Sequence, residues 1–248
     1  MRFADTHVLV ERPDAAVRLF VLHHAGGSAM SYLPLAQAMP ESCEPVLFDL
    51  PGRGTRTGTP PPADFRSAVD DLLPDLAALL DRPAVVFGHS LGALLAHGLL
   101  GALPPDRREQ VRAVVVSAFT SPTDAAAEAT HPAGPFLVRS RPRLLDELRD
   151  RGGCPPELFE EPELLEEVVT LMGHDLHLAD TYPGSPVPTG DVDYHVWYGR
   201  QDDHLDVDAV ERWALSTPHP PHVRGFRGGH FYLDGNPEVT AALARLVG

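Results

Sequence analysis

The chain contains no lysine. All 20 of its basic residues are arginine, set against 35 acidic residues, and the net charge is −15. A field of that sign repels phosphate backbones and anionic lipid headgroups, so neither nucleic acid nor a membrane is an expected partner. Cysteine is almost as scarce: Cys43 and Cys154 stand far apart, with no CxxC spacing. That excludes a disulfide framework and a zinc site, and leaves two free thiols suited to a reducing compartment. No run approaches the roughly 18 consecutive apolar residues that a membrane span needs. The N-terminal stretch MRFADTHVLVERPD mixes charges into its apolar residues. It lacks the uninterrupted core of a secretory signal, and a cytoplasmic location is expected. The arginine-only basic set, with 26 Pro and abundant Ala, looks like the coding bias of a GC-rich genome, which concerns origin rather than mechanism.

What is present suits a soluble globular protein: 248 residues, 43% of them hydrophobic and 22% charged, enough for one full domain over 1–248. Short apolar runs predict buried strands over 16–23, 45–50, 84–89, 113–119, 194–198 and, less plainly, 222–226. Helical patterns lie between them over 31–39, 64–80, 91–103, 208–217 and 237–247. Continuous apolar strands alternating with amphipathic helices predict a mostly parallel sheet covered by helices on both faces. From about 122 to 188 no strand pattern occurs, and helical stretches fall over 123–130, 142–151 and 162–172, the last with Pro162 in its first turn. A helical insertion there would lie over the ends of the sheet, where in an enzyme it forms a lid. Residues 55–63, TRTGTPPPA, read as an exposed loop.

The strongest chemical signal is Gly88-His89-Ser90-Leu91-Gly92, which follows an apolar strand and opens a helix. A strand-to-helix turn that tight lifts a serine hydroxyl out of the sheet, provided its neighbours are small, and the helix adds its positive end. A plain helix-capping serine is the alternative. A serine nucleophile needs a base, and on such an elbow the partners follow in the order acid, then histidine. His230, in Gly228-Gly229-His230-Phe231, lies between the last strand and the last helix and is the expected base; His219 and His222 are its nearest rivals. The expected acid is Asp202, on the loop after the fifth strand, with adjacent Asp203 as the alternative. Acyl transfer also requires donors aimed at the developing oxyanion. The N–H of Leu91 is one candidate. The loop His23-His24-Ala25-Gly26-Gly27-Ser28 offers the other, at Ala25 or alternatively Gly26. His89 is read as packed or hydrogen-bonded structurally, the Pro-Gly-rich turn over 49–54 as architectural, and Trp197 and Trp213 as core.

With these residues in place, the chain resembles the type II thioesterases that accompany polyketide and nonribosomal peptide synthases. The likeness is carried by HHAGGSA (23–29), LPGRG (50–54), GHSLGA (88–93), LLDELRDRGGCPPELFEEPELLE (144–166), HDLHLADTY (174–182) and GGHFYL (228–233). Two positions depart from it: Asp203 stands where the family commonly has Pro, and Asp180 where it tends to have Glu. The resemblance implies an α/β-hydrolase fold with a helical lid. It implies a monomer that acts apart from the synthase and needs no metal or other cofactor. The reaction it implies is hydrolysis of acyl chains from the phosphopantetheine arm of an acyl or peptidyl carrier protein. Carrier proteins are generally acidic, so arginines of the insertion, Arg141 and Arg143 foremost, are candidates to dock one. The same three side chains would equally serve a carboxylesterase, and a carrier-binding chaperone with a vestigial site is the non-enzymatic alternative.

Overall fold

The computed structural model describes residues 1–130, 133–184 and 190–248. Among them one eight-stranded sheet forms from β1 (Arg2–Phe3), β2 (His7–Leu9), β3 (Val17–Leu22), β4 (Cys43–Phe48), β5 (Ala84–His89), β6 (Val111–Ser117), β7 (Asp193–Gly199) and β8 (His222–Phe226). The order across the sheet is β1-β2-β4-β3-β5-β6-β7-β8. Strands β3 to β8 run parallel to their neighbours, while β1 and β2 add an antiparallel edge beside β4. The helices are α1 (Leu33–Gln37), α2 (Phe65–Leu79), α3 (Leu91–Ala102), α4 (Pro105–Arg108), α5 (Pro122–Glu128), α6 (Arg141–Arg151), α7 (Pro162–Asp180), α8 (Val207–Glu211) and α9 (Pro237–Leu246). This is the α/β-hydrolase fold.

The central strands read as unbroken apolar runs because both of their faces are covered. In β3, Phe20 and Leu22 enter the core shared with α2 and α3, and Leu19 and Val21 enter the core shared with α1 and α9. The same alternation divides Val86 from Phe87 in β5 and Val114 from Val115 in β6. The helices obey their local signals. Asp64 caps α2 by accepting from the Ser67 N–H at 2.7 Å, and Pro162 occupies the first turn of α7, where its missing donor costs nothing.

All six expected strands form, each within two residues of its expected limits. The differences have physical causes. Strands β1 and β2 are not legible, being two and three residues long and held by the distant pairing of Val8 with Leu47. The helix expected over 31–39 begins as a 3₁₀ turn at Ala29–Tyr32, and that expected over 208–217 ends in one at Arg212–Leu215. Helix α7 runs on to Asp180 rather than stopping near Met172. Gly173, inside the longer helix, leaves room for the Phe136 ring and a Leu144 methyl. The loop over 55–63 is mostly exposed, but Arg56 within it is buried and forks onto Asp71 at 2.6 and 2.8 Å.

The insertion between β6 and β7 brings α5, α6 and α7. Leu144, Leu148, Leu158, Val169 and Met172 give α6 and α7 a small core of their own. Of the range expected as a lid, 131–132 and 185–188 lie outside the described residues. Among the described residues no helix is long and apolar enough to cross a membrane.

One buried group makes the fold sensitive to acid. His97 of α3 is fully enclosed, its Nδ1 3.0 Å from the Tyr194 hydroxyl, and burial pushes its pKa from 6.5 down to about 4. The unfolded chain therefore takes a proton that the native state refuses. The contribution to stability is whole above about 6.5 and is lost as pH falls toward 4. Within that window this residue alone is expected to remove up to ~1.4 kcal/mol per pH unit. Urea midpoints should be lower at pH 5 than at pH 7, and His97→Phe should flatten the dependence; an unchanged slope in the variant would contradict this account.

Candidate active site

Strand β5 ends at His89, and the next residue turns the chain into α3 with φ 55° and ψ −123° at Ser90. That left-handed conformation is strained for any residue with a Cβ, and such strain gathers at functional positions. The crossing is close. A Cβ at Gly88 would overlap the backbone of Gly92 and Ala93, and a Cβ at Gly92 would overlap the carbonyls of Leu22 and His23. The elbow is pinned by the Ser90 N–H, which donates to the Ser117 carbonyl at 2.7 Å. The Ser90 side chain makes no capping hydrogen bond to α3, so it is not the ordinary N-cap of a βα turn. It is half-buried and lines a cavity.

His230 and Asp202 reach the same place from β8 and β7. Their loops are stitched together: Arg200 N–H donates to the Phe226 carbonyl at 2.8 Å, and Gln201 N–H to the Gly228 carbonyl at 2.9 Å. Gly199 permits this approach, because a Cβ there would overlap the carbonyls of Gly228 and Gly229. His230 Nδ1 lies 2.8 Å from Asp202 Oδ2, with the Asp202 side chain wholly buried. Burial alone would raise the Asp202 pKa. The hydrogen bond and charge of His230 oppose it, with the His204 amide and the Arg151 charge adding to them, and the carboxyl is held below its usual value. Asp203 is exposed. His219 is exposed and sits 3.4 Å from Asp191, and His222 stacks on His195, so neither meets Asp202.

The His230 ring is set among other rings: His89 at 5.3 Å and Phe231 at 5.1 Å, with His24 against the far edge of Phe231. His89 Nδ1 is 2.8 Å from Ser117 Oγ, which is 2.6 Å from the Tyr232 hydroxyl, so a buried polar chain runs beneath the imidazole. Burial, reinforced by neighbouring imidazoles, pushes the His89 pKa well down and takes His24 to about 3. Both stay neutral at neutral pH and add no charge beside His230.

The loop after β3 is fixed by contacts that sequence reasoning missed. Asp175 of α7 accepts the Gly26 N–H at 2.7 Å and forms a two-pronged ion pair with Arg53, 2.6 Å at each prong. Arg53 also donates to the Gly27 carbonyl at 3.0 Å. The turn over 49–54 thus ties α7 to the loop over 24–27. The Gly26 amide is already engaged by Asp175. The Ala25 amide has no partner among the described residues and Ala25 lines the cavity, while Leu91 is the first residue of α3, whose N–H has no intrahelical acceptor. A signal for the clamp existed: Asp175 falls on the buried stripe of α7 with Val169, Met172 and Leu178.

The cavity has a volume of about 430 Å³. His24, Ala25, Ser90 and His230 line it together with residues of α5, α6, α7 and the stretch over 204–212, and Leu148, Val168, Met172, Leu176 and Ala179 supply apolar surface. Of the arginines singled out for docking, Arg141 bonds Glu166 and, at 3.2 Å, Thr170, with its guanidinium 4.8 Å from the Phe136 ring centre. It ties α6 to α7. Arg143 is 63% exposed, with Glu147 at 3.4 Å.

The family model of the thioesterase domain matches residues 17–247, and the chain belongs to the thioesterase family. It is 30% identical over 233 residues to a probable cadicidin biosynthesis thioesterase of Streptomyces griseus, covering 92% of this chain and 63% of that protein. It is 28% identical over 227 residues to thioesterase PikA5 of Streptomyces venezuelae, with 90% of this chain and 77% of that one covered. Among solved structures, the type II thioesterase BorB from the borrelidin biosynthetic cluster superposes with a TM-score of 0.80 at 29% identity, over 97% of each chain.

The clamp makes a sharp prediction. Arg53 and Asp175 are 3% and 1% exposed, so removing one strands the other. Asp175→Ala is expected to lower unfolding stability by about 3–5 kcal/mol in denaturant titrations, and the double variant Arg53→Met/Asp175→Leu by less.

Proposed function

We propose that the protein is a stand-alone, editing thioesterase that hydrolyses acyl thioesters from the phosphopantetheine arm of acyl or peptidyl carrier proteins, with Ser90 as nucleophile. The observation that carries this reading is the Asp202–His230 hydrogen bond facing the same cavity as a serine held at φ 55° with no capping role. Membership of the thioesterase family and the likeness to biosynthetic thioesterases support the choice of a thioester over an oxygen ester.

In this mechanism Asp202 holds His230 with its proton on Nδ1, which leaves Nε2 as the base on the cavity side. His230 takes the Ser90 proton as the oxygen attacks the thioester carbonyl. The N–H groups of Ala25 and Leu91 receive the oxyanion. Collapse expels the pantetheine thiolate, a better leaving group than an alkoxide, so little acid assistance is needed. Water, activated by His230, then releases the acid and restores Ser90. The helices over 122–188 act as the lid that shields this exchange from bulk water. Arg143, the more exposed of the two candidate arginines, meets the acidic carrier, and Arg141 supports it by holding α6 to α7.

Mass spectrometry of carriers loaded with different acyl groups tests the reading: the protein should unload them, and Ser90→Ala should not. The acid should separate cleanly. Asp202→Asn is expected to lower kcat by roughly 10⁴-fold, as loss of the orienting carboxylate does in such triads, and Asp203→Asn to leave it unchanged. Docking has its own test: Arg143→Glu should raise KM for a carrier-borne substrate and not for a small thioester, since rim charges act on encounter. Equal effects on both would remove Arg143 from the docking surface.

A further inference from the structure

Three arginines reach the cavity wall: Arg139, Arg151 and Arg212. Two are neutralised where they stand. Arg139 Nη1 is 2.5 Å from Asp180 Oδ2, and Arg212 Nε is 2.9 Å from Asp124 Oδ2 with Asp206 at 3.9 Å. Arg151 differs. Among the described residues it has no ion-pair partner, and its Nε is sealed from solvent with nothing to donate to. The residues outside the description are His131, Pro132, Ser185, Pro186, Val187, Pro188 and Thr189, which bring no carboxylate. Glu128 also lines the cavity, with no ion pair between it and Arg151.

The position of Arg151 is set by its surroundings. It is the last residue of α6, where a cation suits the helix dipole, but the dipole alone would leave it in water like its neighbour Arg149, which is 56% exposed. Instead, Gly152 and Gly153 break the helix at φ 74° and 83°, and the chain lies so close to Phe231 that a Cβ on Gly153 would strike the ring. Phe231 follows His230. Arg151 therefore faces the cavity near the triad, close enough for its charge to act on Asp202.

The Arg151 guanidinium is half-buried with its Nε sealed and unpaired, and its planar fork matches a carboxylate. We propose that Arg151 receives an anionic group on the acyl unit itself, so that the site takes short acyl chains ending in a second carboxylate, the hemithioesters of dicarboxylic acids. The inference rests on the thioesterase reading and names its substrate class. The phosphate of the pantetheine arm offers similar oxygens, but it lies the full length of the arm from the thioester, whereas Arg151 lines the same cavity as Ser90 and His230.

The test uses glutaryl and pentanoyl thioesters of N-acetylcysteamine, equal in length and free of phosphate. Arg151→Gln is expected to lower the ratio of kcat/KM, glutaryl over pentanoyl, roughly tenfold to a hundredfold, and Arg151→Lys to retain part of it. An unchanged ratio with equal losses on both would make Arg151 a support for Asp202 and overturn the proposal. A loss seen only with phosphopantetheine-borne substrates would assign it to the arm's phosphate and overturn it equally. If the wild type cleaves neither thioester, the thioesterase reading fails and calorimetry decides the anion site on its own. Glutarate should then bind more tightly than pentanoate, with the difference gone in Arg151→Gln; equal binding in the wild type would end the proposal.

Discussion

Where β5 meets α3 there is no space for a side chain at position 88 or 92, and most of the site follows from that crowding. The two glycines bring the strand, the helix and the end of β3 into backbone contact. The residue between them is forced to φ 55°, with its hydroxyl clear of its own helix. A looser crossing would relax Ser90 into an ordinary cap and move the first amide of α3 away from the loop that faces it. The same economy of space recurs at Gly199, where β7 touches the histidine loop so closely that Asp202 and His230 are brought together by main chain as much as by their own hydrogen bond.

Around this frame the polar interior is closed in on itself. Asp202 binds His230 and the His204 amide; His89, Ser117 and Tyr232 form a chain beneath; Asp175 and Arg53 neutralise each other against the loop over 24–27. The imidazoles of His24 and His89 are kept neutral by burial. The protein therefore carries a dense set of titratable groups at one sheet end without an accumulation of charge there, and Arg151 is the exception that the cavity leaves open.

Much of this was legible in the sequence, for reasons that can be stated residue by residue. Strands buried on both faces advertise themselves as apolar runs, and the elbow is local, with its five residues in a row. Choosing between Asp202 and Asp203 was not a local matter: adjacent carboxylates look alike until the Arg200–Phe226 and Gln201–Gly228 bonds turn one inward and leave the other in water. The Arg53–Asp175 pair joins residues 122 apart, and neither motif announces the other. Helix α7 passes through Gly173 because a helix tolerates glycine when the vacated space is filled from outside, here by Phe136. The short strands β1 and β2 have too few residues to show any period.

The attachment of α7 has a consequence for how a long substrate could be admitted. Because Asp175 holds both Arg53 and the Gly26 amide, swinging α7 aside would strip the loop over 24–27 of its anchor and leave a guanidinium bare. Helix α7 is thus fastened along one side to the loop over 24–27. The opposite flank is held more lightly, where α6 leans on α7 through a modest apolar patch and ion pairs within reach of water.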